Sequence, residues 1–151
     1  MKFLLLIFVS FISLTAAAFQ VKQNLQNDSL KLSAYDIAVS FNSICCGPPS
    51  DAFLHELLDT FNRKNKVQVS AWQLGGCGRE GESKILFSLK KLKKTTAKKF
   101  ITLIKKTLKD QNDKNKTANA SSGDISLEYN IFLKDITNCR DQLKSFYQSK
   151  K

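Results

Sequence analysis

From Tyr35 onward, apolar and polar residues alternate. Tyr35, Ile37, Val39, Phe41, Ser43 and Cys45 fall on one side, and Asp36, Ala38, Ser40, Asn42, Ile44 and Cys46 on the other, which predicts a half-buried strand. Gly47-Pro48-Pro49 breaks the pattern. Ser50 is then placed to cap a helix with its hydroxyl and Asp51 to meet its positive end, and the helix shows an apolar face through Phe53, Leu54, Leu57, Leu58 and Phe61. A second strand is predicted over Val67 to Leu74, and the loop 75–81 returns the chain into a third over Ile85 to Leu89. The stripe Ala97, Ile101, Ile104 and Leu108, with Phe100 beside it, predicts a second helix over Thr95 to Leu108. Residues 110–123 carry no large apolar side chain and read as a mobile loop. Ile125, Leu127, Tyr129, Ile131 and Leu133 alternate as a fourth strand. Ile136, Cys139, Leu143 and Phe146 or Tyr147 recur at helical spacing and predict a short C-terminal helix.

The predicted class is therefore α+β. The order β-α-β-β-α-β over about residues 35–134 resembles the ferredoxin-like split βαβ sandwich, with the C-terminal helix as an addition. That topology implies that the first two strands run parallel, so Cys45-Cys46 and the loop after the second strand share one end of the sheet. It implies nothing about function.

Upstream of Tyr35 the chain reads differently. Lys2 precedes the run Phe3 to Leu14, apolar but for Ser10 and Ser13, and Ala16-Ala17-Ala18 supplies the small residues of a cleavage site. Residues 1–18 are thus expected to be a signal peptide cleaved after Ala18, residues 19–33 a flexible arm, and residues 34–151 a single domain exported to a periplasm or secreted. The apolar run is too short for an ordinary membrane span, and no other stretch of the chain approaches one.

Charge and composition narrow the chemistry. The 151 residues hold 24 Lys plus Arg against 13 Asp plus Glu, a formal +11, with one His and four Cys. A single imidazole, His55, off the apolar face of its helix, leaves no Ser-His-Asp or Cys-His arrangement, and the chain reads as non-catalytic, with no cofactor and no metal. Glu80 and Glu82 at a loop tip lack surroundings that would raise one pKa, and read as solvated. Trp72 reads as a half-buried residue of the second strand or, on an uncovered face, a binding platform.

In an oxidising compartment Cys45, Cys46, Cys77 and Cys139 are expected to form disulfides. Adjacent strand residues point to opposite faces, so strand parity gives Cys45–Cys77 and Cys46–Cys139, or the swapped pairing, and argues against a vicinal Cys45–Cys46 bridge. Cys46-Gly47-Pro48-Pro49 resembles the Cys-Gly-Pro-Cys of thioredoxin-like proteins, with a thiol at the turn from strand to helix. Pro49 stands where the resolving cysteine belongs. The alternative reading is a thiol-based redox or metal-handling protein using Cys46 and Cys77.

Four of the six glycines lie in residues 75–81, where their backbone freedom could turn amides toward an anion beside Arg79. Residues 84–109 hold ten Lys and no acid. At about 100° per residue, Lys98, Lys99, Lys105, Lys106 and Lys109 fall within roughly a third of the second helix's circumference, away from its apolar stripe. These lysines and Arg79 are the candidate anion-binding residues. The run contains no Arg, and with export this argues against nucleic acid; an acidic protein, an envelope polymer or an anionic lipid surface fits better. Asn27, Asn115 and Asn119 open Asn-X-Ser/Thr sequons, the last two in the expected mobile loop. The expected function is that of a small exported binding or interaction module with a Lys-rich surface.

Overall fold

The chain divides between Ser33 and Ala34, and the computed structural model describes residues 34–117 and 123–147 of the second unit. The expected signal peptide and N-terminal arm lie outside the described residues. The elements run β1 (Ala34–Phe41), α1 (Ala52–Asn65), β2 (Ser70–Leu74), β3 (Ser83–Ser88), α2 (Lys94–Thr117), β4 (Ile125–Phe132), a 3-10 turn (Leu133–Asp135) and β5 (Lys144–Tyr147). The strands form one sheet in the order β4-β1-β3-β2-β5, every neighbouring pair antiparallel. Among the described residues the fold is α+β, a five-stranded antiparallel sheet with two α-helices.

The alternation in the strands and the stripes on the helices meet in one core. Ile37, Val39 and Phe41 of β1 and Ile85 and Phe87 of β3 face Leu54, Leu58 and Phe61 of α1 and Phe100, Ile104 and Leu108 of α2. Phe100 joins the layers, its ring edge-on to Phe61 with centroids 5.0 Å apart and tilted 5.6 Å from Phe87. Burying a side chain of this size contributes roughly 2–3 kcal/mol, so this cluster holds the helices to the sheet. Asn62 closes the first crossover: its carbonyl accepts from Val67 N at 3.1 Å and its side-chain oxygen from Val69 N at 3.0 Å. Those bonds, after a left-handed Lys66, hold residues 67–69 out of the ladder and start β2 at Ser70, three residues later than the pattern predicts.

The opposite face carries a second, smaller cluster of Tyr35, Ala38 and Leu86, against which Trp72, Ile131, Leu133, Ile136 and Leu143 pack. Tyr35 thus shares a face with Ala38 rather than with Ile37. The alternation slips at Asp36, whose carboxylate accepts from Leu89 N at 2.6 Å; across from it, between the Tyr35–Ile131 and Ile37–Tyr129 pairs, Asn130 has φ +53°.

Three expectations are corrected. β1 ends at Phe41 rather than continuing to Cys46, because Cys46 and Gly47 take positive φ, 68° and 93°, and turn the chain away from the sheet. α2 continues through Thr117, so most of the expected loop 110–123 is helix. Asn112 fastens that extension, accepting from Ile125 N at 2.9 Å and donating to Ile125 O at 2.8 Å; the sequon at Asn115 therefore sits in the last helical turn. Residues 118–122, with Asn119, lie outside the described residues. Among the described residues the expected C-terminal helix is also absent. Residues 133–143 instead cross the second face of the sheet, and β5 adds to the free edge of β2, where its backbone groups find ladder partners. Arg140 N and Asp141 N donate to Gly76 O and Gly75 O on the way, consuming donors that a helix would have needed.

Candidate functional site

Two regions gather the residues with chemical potential. The first is the end of the sheet where β1 and β2 finish, β3 starts and α1 begins. Here the loops that carry the cysteines, glycines and prolines border a cleft of about 520 Å³. Its walls include Ser50 and Asp51 at the head of α1, Gln73 of β2, Ser83 of β3, and Asp141 and Lys144 from the segment leading into β5. Ser50 does reach the helix, accepting from Ala52 N at 3.3 Å, while Asp51 makes no side-chain cap bond. The lining includes no histidine, cysteine or tyrosine, and its polar side chains include the hydroxyls of Ser50 and Ser83, the Gln73 amide, the carboxylates of Asp51 and Asp141 and the ammonium of Lys144.

The four cysteines come to this end, but not in the expected pairs. Cys77 is bonded to Cys139. The cause is the path of the C-terminal segment: besides the two backbone bonds to Gly75 and Gly76, Asn138 donates to Cys77 O at 3.1 Å, which lays Cys139 on the glycine loop. Both Cys45–Cys77 and Cys46–Cys139, and the swapped pairing, are therefore corrected. The sulfurs of Cys45 and Cys46 stand 2.9 Å apart. The pairing of Cys46 with Cys77 as a redox or metal dyad loses Cys77 to Cys139. Among the described residues, no group of three or more His, Cys, Asp or Glu side chains is placed to hold a metal ion.

The glycine loop carries its own carboxylate. Glu80 N donates to Glu82 Oε2 at 2.8 Å and Cys77 N to Glu82 O at 2.9 Å, so Glu82 occupies the space that amides beside Arg79 would offer an external anion. A side chain at Gly78 would collide with that carboxylate. Arg79 is exposed on this loop, separate from the helix that bears the lysines.

The second region is the lysine run. Lys90, Lys91, Lys93 and Lys94 lead into α2, where Lys98, Lys99, Lys105, Lys106 and Lys109 lie opposite the buried Phe100, Ile104 and Leu108; all nine lysines are exposed. Among the described residues, the ion pair found on this stretch is Lys109 with Asp113, 3.7 Å apart and one helical turn on. Lys84, the tenth in the run, belongs elsewhere. It reaches under the second face of the sheet, where its ammonium donates to Ser40 Oγ at 2.7 Å and pairs with Glu128, whose carboxylate also accepts from the Ser40 hydroxyl. Burial alone would raise the Glu128 pKa, but the Lys84 and Ser40 hydrogen bonds and the Lys84 charge outweigh it and hold the carboxyl below the ordinary glutamate value.

Sequence reasoning missed the aromatic side of the lysine face. Tyr129 and Phe132 of the edge strand β4 are each 44% exposed, and Leu103 of α2 is 37% exposed. Lys105 Nζ lies 5.3 Å from the Tyr129 ring centroid and Lys134 Nζ 5.7 Å from that of Phe132. Tyr129 alternates like a core residue, and only its position on an edge strand exposes it.

His55 and Trp72 are settled by the C-terminal segment. His55 is exposed on α1, as its position off the apolar face predicts, yet its ring stacks on Phe146 of β5 with centroids 4.3 Å apart. Trp72 is half-buried on the second face, edge-on to Tyr35 at 5.4 Å. No helix among the described residues is long and apolar enough to cross a membrane. Comparison with protein-family models, with curated proteins and with solved structures returns no match.

Proposed function

We propose that the protein is a small exported binding module that acts without catalysis and engages a negatively charged partner through the lysine face of α2. The observation that carries the reading is the density of positive charge: nine exposed lysines within residues 90–109, with no acid among them and Lys109 alone in an ion pair among the described residues. Such a surface attracts polyanions over about a Debye length, roughly 8–10 Å at physiological salt. Export rests on the leader-like residues 1–18, and the Cys77–Cys139 disulfide is compatible with it. The finer fold reading, a ferredoxin-like split βαβ, is supported by β3 lying antiparallel between β1 and β2, and by β1 in the same way between β3 and β4. β5 is an addition at the β2 edge.

The test is the joint substitution of Lys98, Lys99, Lys105 and Lys106 by Gln. The wild-type protein should be retained on heparin at low salt and released steeply as salt rises, and the variant should pass through. Equal retention of the two proteins would overturn the reading. All four side chains are exposed, so denaturation midpoints should barely differ.

A further inference from the structure

Of the four large apolar side chains exposed among the described residues, three lie on α2 and β4: Leu103, Tyr129 and Phe132. The relation of these two elements places them around the lysines. Asn112 of α2 bonds Ile125 at the start of β4, and Lys105, about two helical turns earlier, covers Tyr129 four residues further along the strand. The two elements therefore run side by side in opposite directions. Phe132 ends β4 three residues beyond Tyr129 and is covered by Lys134 of the following turn. On the helix itself, Leu103 falls on the side of the lysine strip away from Lys105, at about 100° per residue. A band of ammonium groups is thus flanked by the Tyr129 ring on one side and by an aliphatic side chain on the other, with the Phe132–Lys134 pair further along the same edge strand.

Resting on the reading of α2 as an anion-binding face, we propose that the partner is an anionic lipid surface, against which the α2–β4 edge lies flat. Two observations favour a lipid surface over a soluble polyanion. The cations are all Lys, which act as point charges suited to a field of headgroups rather than as the planar forks that grip one sulfate or phosphate. The exposed rings and Leu103 lie beside ammonium groups, so that at a bilayer they reach the boundary between headgroups and acyl chains while the lysine stems extend back to the phosphates. Lys105 over Tyr129 and Lys134 over Phe132 already pair a cation with a ring in this manner. Attachment is peripheral and reversible, weakened by salt and dependent on both kinds of side chain.

The experiment compares three probes: phosphatidylcholine vesicles containing phosphatidylglycerol, vesicles of phosphatidylcholine alone, and heparin. The wild-type protein should co-sediment with the first and not with the second. The double variant Tyr129→Ser, Phe132→Ser should lose about tenfold in affinity for the anionic vesicles, while its elution from heparin, which reads charge alone, shifts little. That elution also reports whether the variant is folded with α2 in place. Independently, Phe132→Trp in a Trp72→Phe background should show blue-shifted emission with anionic vesicles and none with heparin. Vesicle affinity that survives loss of both rings, or unshifted emission in the presence of anionic vesicles, would overturn the lipid proposal and leave the anion-binding face standing with a soluble polyanion as its partner. Unchanged heparin retention of the lysine-to-glutamine variant would overturn the reading beneath it.

Discussion

Lys84 and Glu128 meet beneath the second face of the sheet, across β1, with the hydroxyl of Ser40 between them. The Lys84 side chain is 15% exposed and that of Glu128 37%, so the pair is shielded on one side and screened on the other. Because Glu128 has its pKa lowered from 4.5 in the fold, it binds fewer protons there than in the unfolded chain. Its contribution is fully present above the unfolded value and is lost as pH falls from about 4.5 through the lower folded pKa. Glu128→Gln should therefore lower stability at neutral pH by about 1 kcal/mol, after allowance for screening. The difference from wild type should shrink in acid, as urea denaturation at neutral pH and below pH 4 would read. A constant difference across that range would contradict the assignment.

Asn112 is expected to be the residue that keeps the second half of α2 helical. Its side chain both donates to and accepts from Ile125, and Asn112→Ala removes two bonds at a partly buried place, at a cost of roughly 1–3 kcal/mol. Asn112→Asp retains the acceptor for Ile125 N and loses the donor, and should fall between. Amide exchange over residues 109–117 should accelerate in the Ala variant more than over residues 97–105.

The disulfide prediction is specific. Peptide mapping without reduction should recover Cys77 joined to Cys139. The bridge spans 62 residues, so Cys139→Ser should lower stability by about 2–4 kcal/mol through the freedom that it returns to the unfolded chain. Trp72, the one tryptophan of the chain, packs against the same cluster as Leu143 of the covering segment, and its emission should move to longer wavelength in that variant.

Gly123 stands at φ +87° with the backbone of Asn42 against the place where a side chain would begin. Gly123→Ala adds strain and a collision with a carbonyl that has no rotamer to escape into, and should cost at least about 1–2 kcal/mol. Thermal unfolding would show it. A neutral effect would mean that the Asn42–Asp124 rung is looser than the bond from Asn42 N to Asp124 O at 3.0 Å implies.

What could be read from the sequence follows from what is local. Ile37, Val39 and Phe41, or Phe100, Ile104 and Leu108, betray their element because one face of a short segment is buried throughout, and that leaves a period in the chain. The lysine face was legible for the same reason, being the complement of a buried stripe. The slip at Asp36 was not, since it depends on Asn130 across the sheet. β5 has four residues and is defined by a strand about seventy positions earlier, whereas Ile136, Cys139 and Leu143 happen to keep a helical spacing. The cysteine pairing failed with it: parity ordered Cys45 and Cys46 correctly only as long as they were strand residues, and the turn at Cys46 removes them from the ladder. Lys84 belongs by position to the run of ten lysines, and register, which sequence does not display, decides that it sits opposite Ser40.

The sheet order has a consequence for how the polypeptide acquires its shape. β1, β3 and β2 form the middle of the sheet, and both of its outer strands come from the last part of the chain: Tyr35 waits for Ile131, and Ala71 for Tyr147. A chain emerging from its N-terminus therefore holds two unpaired strand borders until residues 125–147 appear, a period in which it is open to pairing with other chains. Contacts so distant in sequence also form slowly. Chains truncated ahead of β4 should associate rather than persist as soluble fragments, and residues 125–147 act as the step that makes the polypeptide self-sufficient.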